Sequence, residues 1–155
     1  MKKFYSILLF ILLISISTFA SKYFGWETET INSWYYYTPW ERLVTVTNNT
    51  LDNINVSKSK TVTQTITLNA GGETELFDLL KMKFNIGSSL TVSQTLSINA
   101  VCRPGYRLTW DSRWKRYRSW GMAYYYMYYE EVKLTTWTVD KPLYVEDRIT
   151  TNPIN

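Results

Sequence analysis

Apolar and polar positions alternate along two long stretches in the middle of the chain. Even positions from Ile54 read Ile54, Val56, Lys58, Lys60, Val62, Gln64, Ile66, Leu68 and Ala70, and every odd position between them is Asn, Ser or Thr. The second stretch sets Met82, Phe84, Ile86, Ser88, Leu90, Val92, Gln94, Leu96, Ile98 and Ala100 against Lys81, Lys83, Asn85, Gly87, Ser89, Thr91, Ser93, Thr95, Ser97 and Asn99. Successive side chains of a strand point to opposite faces, so both stretches predict amphipathic strands well beyond the usual five or six residues. One face is mostly aliphatic and the other is hydroxyl and amide. Within them TVTQTITLNA (61–70) recurs as TVSQTLSINA (91–100).

GGETELFDLLK (71–81) joins the two copies, and three arrangements satisfy it. A tight hairpin about Leu76 would set Ala70 opposite Met82 and Val62 opposite Leu90, keeping both aliphatic rows on one side. A helix over 73–84 would align Leu76, Leu79, Leu80 and Lys83 in one stripe, and a right-handed crossover would then make the copies parallel. The third arrangement is a sandwich hairpin whose long loop carries a short helix.

The flanks also read as strands. Trp34 to Tyr37, a break at Thr38-Pro39, and Leu43 to Thr47 before the turn-rich NNTLDN suggest a further pair. Pro104-Gly105 opens Tyr106 to Trp110, Asp111-Ser112 looks like a turn, and Met122 to Val139 reads as one long or broken strand. The fold class expected is all-β: a single antiparallel sheet or sandwich over residues 21–155, with one long Ser/Thr-rich amphipathic hairpin.

Residues 1–20 carry Lys2 and Lys3, an uncharged apolar run and Thr18-Phe19-Ala20, the pattern of a secretory signal peptide. A secreted, extracellular location is therefore expected. Without Lys2 and Lys3, 15 basic side chains face 13 acidic ones, which is no nucleic-acid signature. The one cysteine, Cys102, cannot form an intramolecular disulfide and is expected to be buried and inert. Stability must come from packing or from assembly into a homo-oligomer.

Aromatic residues crowd 26–40 and 106–137 and leave 41–101 without a Trp or Tyr. Beside them stand Arg103, Arg107, Arg113, Lys115, Arg116 and Arg118, interleaved with Trp110, Trp114, Tyr117 and Trp120. Arg113, Trp114, Lys115, Arg116, Arg118 and Trp120 are the candidate surface-binding residues, suited to membrane lipid or an anionic cell-envelope polymer. The chain has no histidine, which removes the commonest general base and metal ligand. Glu130 and Glu131 diverge on a strand, and Glu27 with Glu29 is a weak pair for glycoside chemistry. No enzyme, cofactor or metal site is expected. NNT at 48–50 and NVS at 55–57 match glycosylation acceptors.

Two alternating Ser/Thr strands joined by an apolar tip resemble the insertion hairpin of aerolysin-type β-pore-forming proteins, over about residues 54–100. The resemblance implies a hydroxyl row lining a pore, an aliphatic row meeting lipid and a tip that crosses the bilayer. By position, Val62, Ile66, Leu68, Phe84, Ile86 and Leu90 would face lipid. Thr63, Thr65, Thr67, Asn85, Ser89 and Thr91 would face the lumen. Leu76, Phe77, Leu79 and Leu80 would form the membrane tip. Lys58 and Lys60 interrupt the aliphatic row and fit only near the membrane surface. The alternative is an envelope or glycan-binding β-sandwich module in which the hairpin is purely structural, since a soluble sheet with one wet face alternates in the same way.

Overall fold

The computed structural model describes residues 24–154; residues 1–20, expected to be a signal peptide, lie outside them. Seven strands and one helix follow in the order β1 (Phe24–Tyr37), β2 (Glu41–Asn48), β3 (Ile54–Thr65), β4 (Thr67–Asn69), α1 (Thr74–Lys83), β5 (Thr91–Cys102), β6 (Tyr106–Met127) and β7 (Glu130–Pro153). The fold is all-β. One sheet has the order β1-β6-β7-β4, with β2 also paired to β6, and the other is the two-stranded ribbon β3-β5.

Both copies of the repeat enter strands, but the long strands around them differ from expectation. β1 and β2 do not pair with each other. They follow one another along β6, with the chain breaking at Thr38-Pro39, where Trp114 and Thr38 exchange hydrogen bonds. Asp111 and Ser112 are no turn: both are buried inside β6, where Asp111 receives Arg42 and Arg148. The turn in this part of the chain falls instead at Tyr128-Tyr129, both at positive φ, between β6 and β7. Two residues of this geometry match the right-handed twist of the strands they join, although the position usually takes Asn or Gly. Phe24 packs edge-on against Tyr128 with ring centroids 4.8 Å apart.

The contacts divide the chain into two compact units. The first comprises 68–85 and 120–138 with the described part of 1–32. Its helix α1 forms because Leu76 and Leu80 lie one turn apart on a buried stripe, with Glu75 in the first turn and Lys81 and Lys83 in the last, matching the helix dipole. Phe84 closes it by donating its N–H to the Leu80 carbonyl. Trp137 is fully buried, contacts Phe84 and donates Nε1–H to the Met122 carbonyl. Close packing also explains Gly121: a Cβ there would fall 1.8 Å from the Glu29 carbonyl oxygen. At Gly71 the backbone is left-handed, and a Cβ would meet the Thr135 hydroxyl at 2.2 Å.

The second unit comprises 33–67, 86–119 and the described part of 139–155. Its core joins Val56, Ile98 and Cys102 of the ribbon to Leu108 and Trp110 of β6, with Leu43, Val44 and Val46 packed around them. Cys102 is fully buried and free, its thiol directed at the Tyr106 carbonyl. Trp110 donates its indole N–H to Asp147 at 2.7 Å. Asn48 is also fully buried: its amide donates to the Asp52 and Cys102 carbonyls, and its oxygen accepts from Thr50. Of the two glycosylation matches, only Asn55 is exposed in this fold.

Candidate functional site

The ribbon is antiparallel, running from Ile54 opposite Cys102 to Thr65 opposite Thr91. This excludes the parallel arrangement. The tight register is also corrected, because Val62 faces Gln94 and not Leu90. Parity survives the change, so the like faces stay together. The connection carries a helix, as in the third arrangement.

The register explains the repeat. The first five residues of each copy, TVTQT (61–65) and TVSQT (91–95), pair with one another about a local two-fold: Thr61 with Thr95, Val62 with Gln94, Thr63 with Ser93, Gln64 with Val92, and Thr65 with Thr91. On the outer face this makes a ladder of hydroxyl pairs. Thr63 and Ser93 are 2.7 Å apart, Thr61 and Thr95 2.9 Å, and Ser59 and Ser97 3.2 Å. On the inner face each Val meets a Gln.

Those glutamines fasten the distal end of the ribbon within the second unit. Gln64 Oε1 accepts a hydrogen bond from Arg116 Nη1 at 2.9 Å, and the Thr65 carbonyl accepts one from Nη2 at 3.0 Å. Gln94 Oε1 accepts from the Val145 N–H at 3.1 Å. Arg116 is 7% exposed and donates Nε–H to Asp140 Oδ1 at 2.8 Å, while Asp140 Oδ2 accepts from Arg118 and from the Tyr36 hydroxyl. Burial by itself would raise the Asp140 pKa. The hydrogen bonds from Tyr36, Arg116 and Arg118 outweigh it and hold the carboxyl below its ordinary range. Tyr36 is pushed up, first by burial and then by its bond to that carboxylate.

The expected site residues separate. Val62, Thr63, Thr65 and Thr91 lie on the ribbon, Val62 half-buried and the three threonines exposed. Thr67 and Leu68 belong to β4, which pairs in the other sheet. Ile66 is buried just past the end of β3, and its N–H donates to the Leu90 carbonyl. Phe84, Asn85, Ile86, Ser89 and Leu90 lie in the connection before β5, not on a strand, because the helix runs to Lys83. Leu76, Phe77, Leu79 and Leu80 form no hairpin tip in this conformation. All four are helical, and Leu76 and Leu80 are fully buried.

The basic and aromatic residues divide by strand alternation. Trp114 and Arg116 are 3% and 7% exposed and turn inward. Arg113 and Lys115 alternate with them and lie against aromatic rings. Arg113 stands 4.0 Å from the Tyr37 ring centroid and 4.4 Å from that of Trp40, and it pairs with Glu146. Lys115 lies between 5.3 and 5.8 Å from the rings of Tyr35, Tyr37 and Tyr144. Hydrogen bonding with Tyr144 and Glu146 pushes the Tyr37 phenol up to about 12, and Arg113 holds Glu146 below its usual value. Arg118 remains exposed over Tyr36, and Trp120 is half-buried. Sequence reasoning missed Gln64, Gln94, Asp140 and Tyr36. The available signal was a glutamine at the same place in both copies, within a row otherwise mostly aliphatic.

Among the described residues no cluster of three or more metal-ligating side chains occurs, and no helix is long and apolar enough to cross a membrane. No protein-family model matches the chain, and no curated protein matches it. A solved structure from Bacteroides vulgatus ATCC 8482, named "Putative pore-forming toxin", is similar at 9% sequence identity and a TM-score of 0.38. The match covers 83% of this chain and 55% of that one, so the chain spans about half the length of that protein. Two chains this distant need share no activity.

Proposed function

We propose that the chain is a secreted, non-catalytic protein acting at a membrane or cell envelope, whose ribbon lengthens into a membrane-inserting hairpin after the chain oligomerises. The supporting observation is the register. Carried past Ile66 and Leu90 without a slip, the pairing of β3 with β5 sets Ala70 opposite Ile86, Glu73 opposite Lys83, Glu75 opposite Lys81 and Leu76 opposite Leu80, with Asp78 at the turn. Opposite charges meet twice, and the apolar residues gather at the tip. The segment that is helical here thus holds a second, self-complementary pairing. Each present arm is 12 residues long, and a spanning strand needs about 9–11. Arg113, Lys115 and their tyrosines suit first contact with an anionic surface.

The test is dye release from anionic and neutral phospholipid vesicles. Leu90 is 36% exposed, so Leu90→Lys disturbs this fold little, yet it places a charge on the aliphatic row, where lysine near the bilayer midplane costs about 2–4 kcal/mol. Release should be lost in Leu90→Lys and kept in Ser89→Lys, on the hydroxyl row. Equal release by both variants, or none from either vesicle by the folded chain, removes the insertion reading.

The second reading is an envelope or glycan-binding module with a structural ribbon. It is favoured by the proximal core, where Val56, Ile98 and Cys102 fasten that end of the ribbon to Leu108 and Trp110.

A further inference from the structure

Unit one contains a groove of about 410 Å³ formed by Trp26, Tyr125, Glu73, Thr74, Glu75 and Lys133, with Gly72 at its edge. Its size falls at the lower end of the roughly 300–1,000 Å³ of small-molecule sites. Trp26 and Tyr125 are both half-buried, with ring centroids 5.2 Å apart and planes inclined by 56°, which makes an open, V-shaped apolar wall. Opposite chemistry lines the rest. Glu73 and Glu75 offer acceptors, Thr74 offers both a donor and an acceptor, and the Lys133 ammonium, paired with Glu73, offers donors.

A wall of aromatic faces beside a mixed set of donors and acceptors matches a molecule with an apolar C–H face and a rim of hydroxyls. Two carboxylates against one ammonium disfavour an anionic ligand. A quaternary ammonium wants rings that surround it and no resident cation, whereas here the rings lean on each other and Lys133 occupies the rim. We propose that this groove binds one neutral pyranose residue of a glycan. The assignment stands apart from the inserting ribbon, since every residue in it belongs to the helix-bearing unit.

Saturation-transfer NMR on the full chain, with methyl pyranosides of glucose, galactose, mannose and N-acetylglucosamine as probes, tests it. At least one probe should receive saturation and compete with no other ligand class. Trp26→Ala and Tyr125→Ala should each weaken binding of that probe at least tenfold, and Trp34→Ala, on the same strand outside the groove, should leave it unchanged. If Trp26→Ala fails to fold, Lys133→Met supplies the same reading, because removing the rim donor should weaken the sugar severalfold. Saturation of none of the four sugars overturns the proposal. So does binding that survives both Trp26→Ala and Lys133→Met, or displacement of the sugar by choline chloride.

Discussion

The two copies of the repeat begin alike and end apart. Their first five residues pair with each other in the ribbon, but the second halves go to different places. LSINA (96–100) stays in β5 opposite residues 56–60, whereas ITLNA (66–70) leaves the ribbon at Ile66 and enters β4, beside β7. A side-chain pattern defines which face of a strand is apolar. It does not define the neighbour, which depends on what the other segment offers. LSINA meets an extended partner. The residues that would face ITLNA are 86–90, where Gly87 and the Ser89 hydroxyl, bonded back to Thr91, hold a bend.

Removing Asp140 tests the distal clasp most severely. Asp140→Ala leaves the buried Arg116 guanidinium without its counter-charge and should cost about 3–5 kcal/mol, read by chemical denaturation. The pH dependence has a defined sign. Because the folded Asp140 carboxyl lies below its unfolded value of about 3.9, its contribution is complete above that value and is lost as the pH falls through the folded one. Asp140→Asn should therefore flatten the acid limb of the stability profile. An unchanged limb would assign acid sensitivity to other carboxylates, with Glu146 the next to examine.

Equivalent positions in the copies sharpen the contrast. Ile66 is 7% exposed and Leu96 only half-buried, so Ile66→Ala should cost about 2–4 kcal/mol and Leu96→Ala about half as much. Equal losses would mean that leaving the ribbon gives copy one no better burial. The glutamines should follow the same order at smaller size. Gln64→Leu strips a hydrogen bond from a charged donor and should cost about 1.5–3 kcal/mol, whereas Gln94→Leu frees one backbone N–H and should cost about 1–1.5 kcal/mol. Thr63→Val, on the exposed ladder, should change stability by about 0.5 kcal/mol or less.

A helix over 73–84 was one of three arrangements the sequence left open, but the alternation of 54–65 and 91–100 and the parity of the register were legible in it. Period alone carries those. Three features were not legible, each for a physical reason. Alternation continues through 82–90, but Leu76 and Leu80 gain more by burial on a helix, so the strand begins only at Thr91. Tyr128-Tyr129 turns the chain at positive φ without the glycine or asparagine that signals such a turn. Trp114 and Arg116 share a short basic stretch with Arg113 and Lys115, and which alternate set faces inward depends on Asp140 and Gln64, distant in sequence.

The self-complementary pentads have a consequence for purity in the tube. A strand that matches its own repeat can find the same match on a second molecule. Residues 61–65 of one chain laid against 91–95 of another recreate the five distal cross-strand pairs of the ribbon. An arm-exchanged dimer then differs from the monomer chiefly in the entropy of closing the 66–90 link, a term that concentration can offset. Preparations kept concentrated, or refolded at high protein concentration, should accumulate such exchanged dimers, which persist on dilution for as long as the ribbon takes to open.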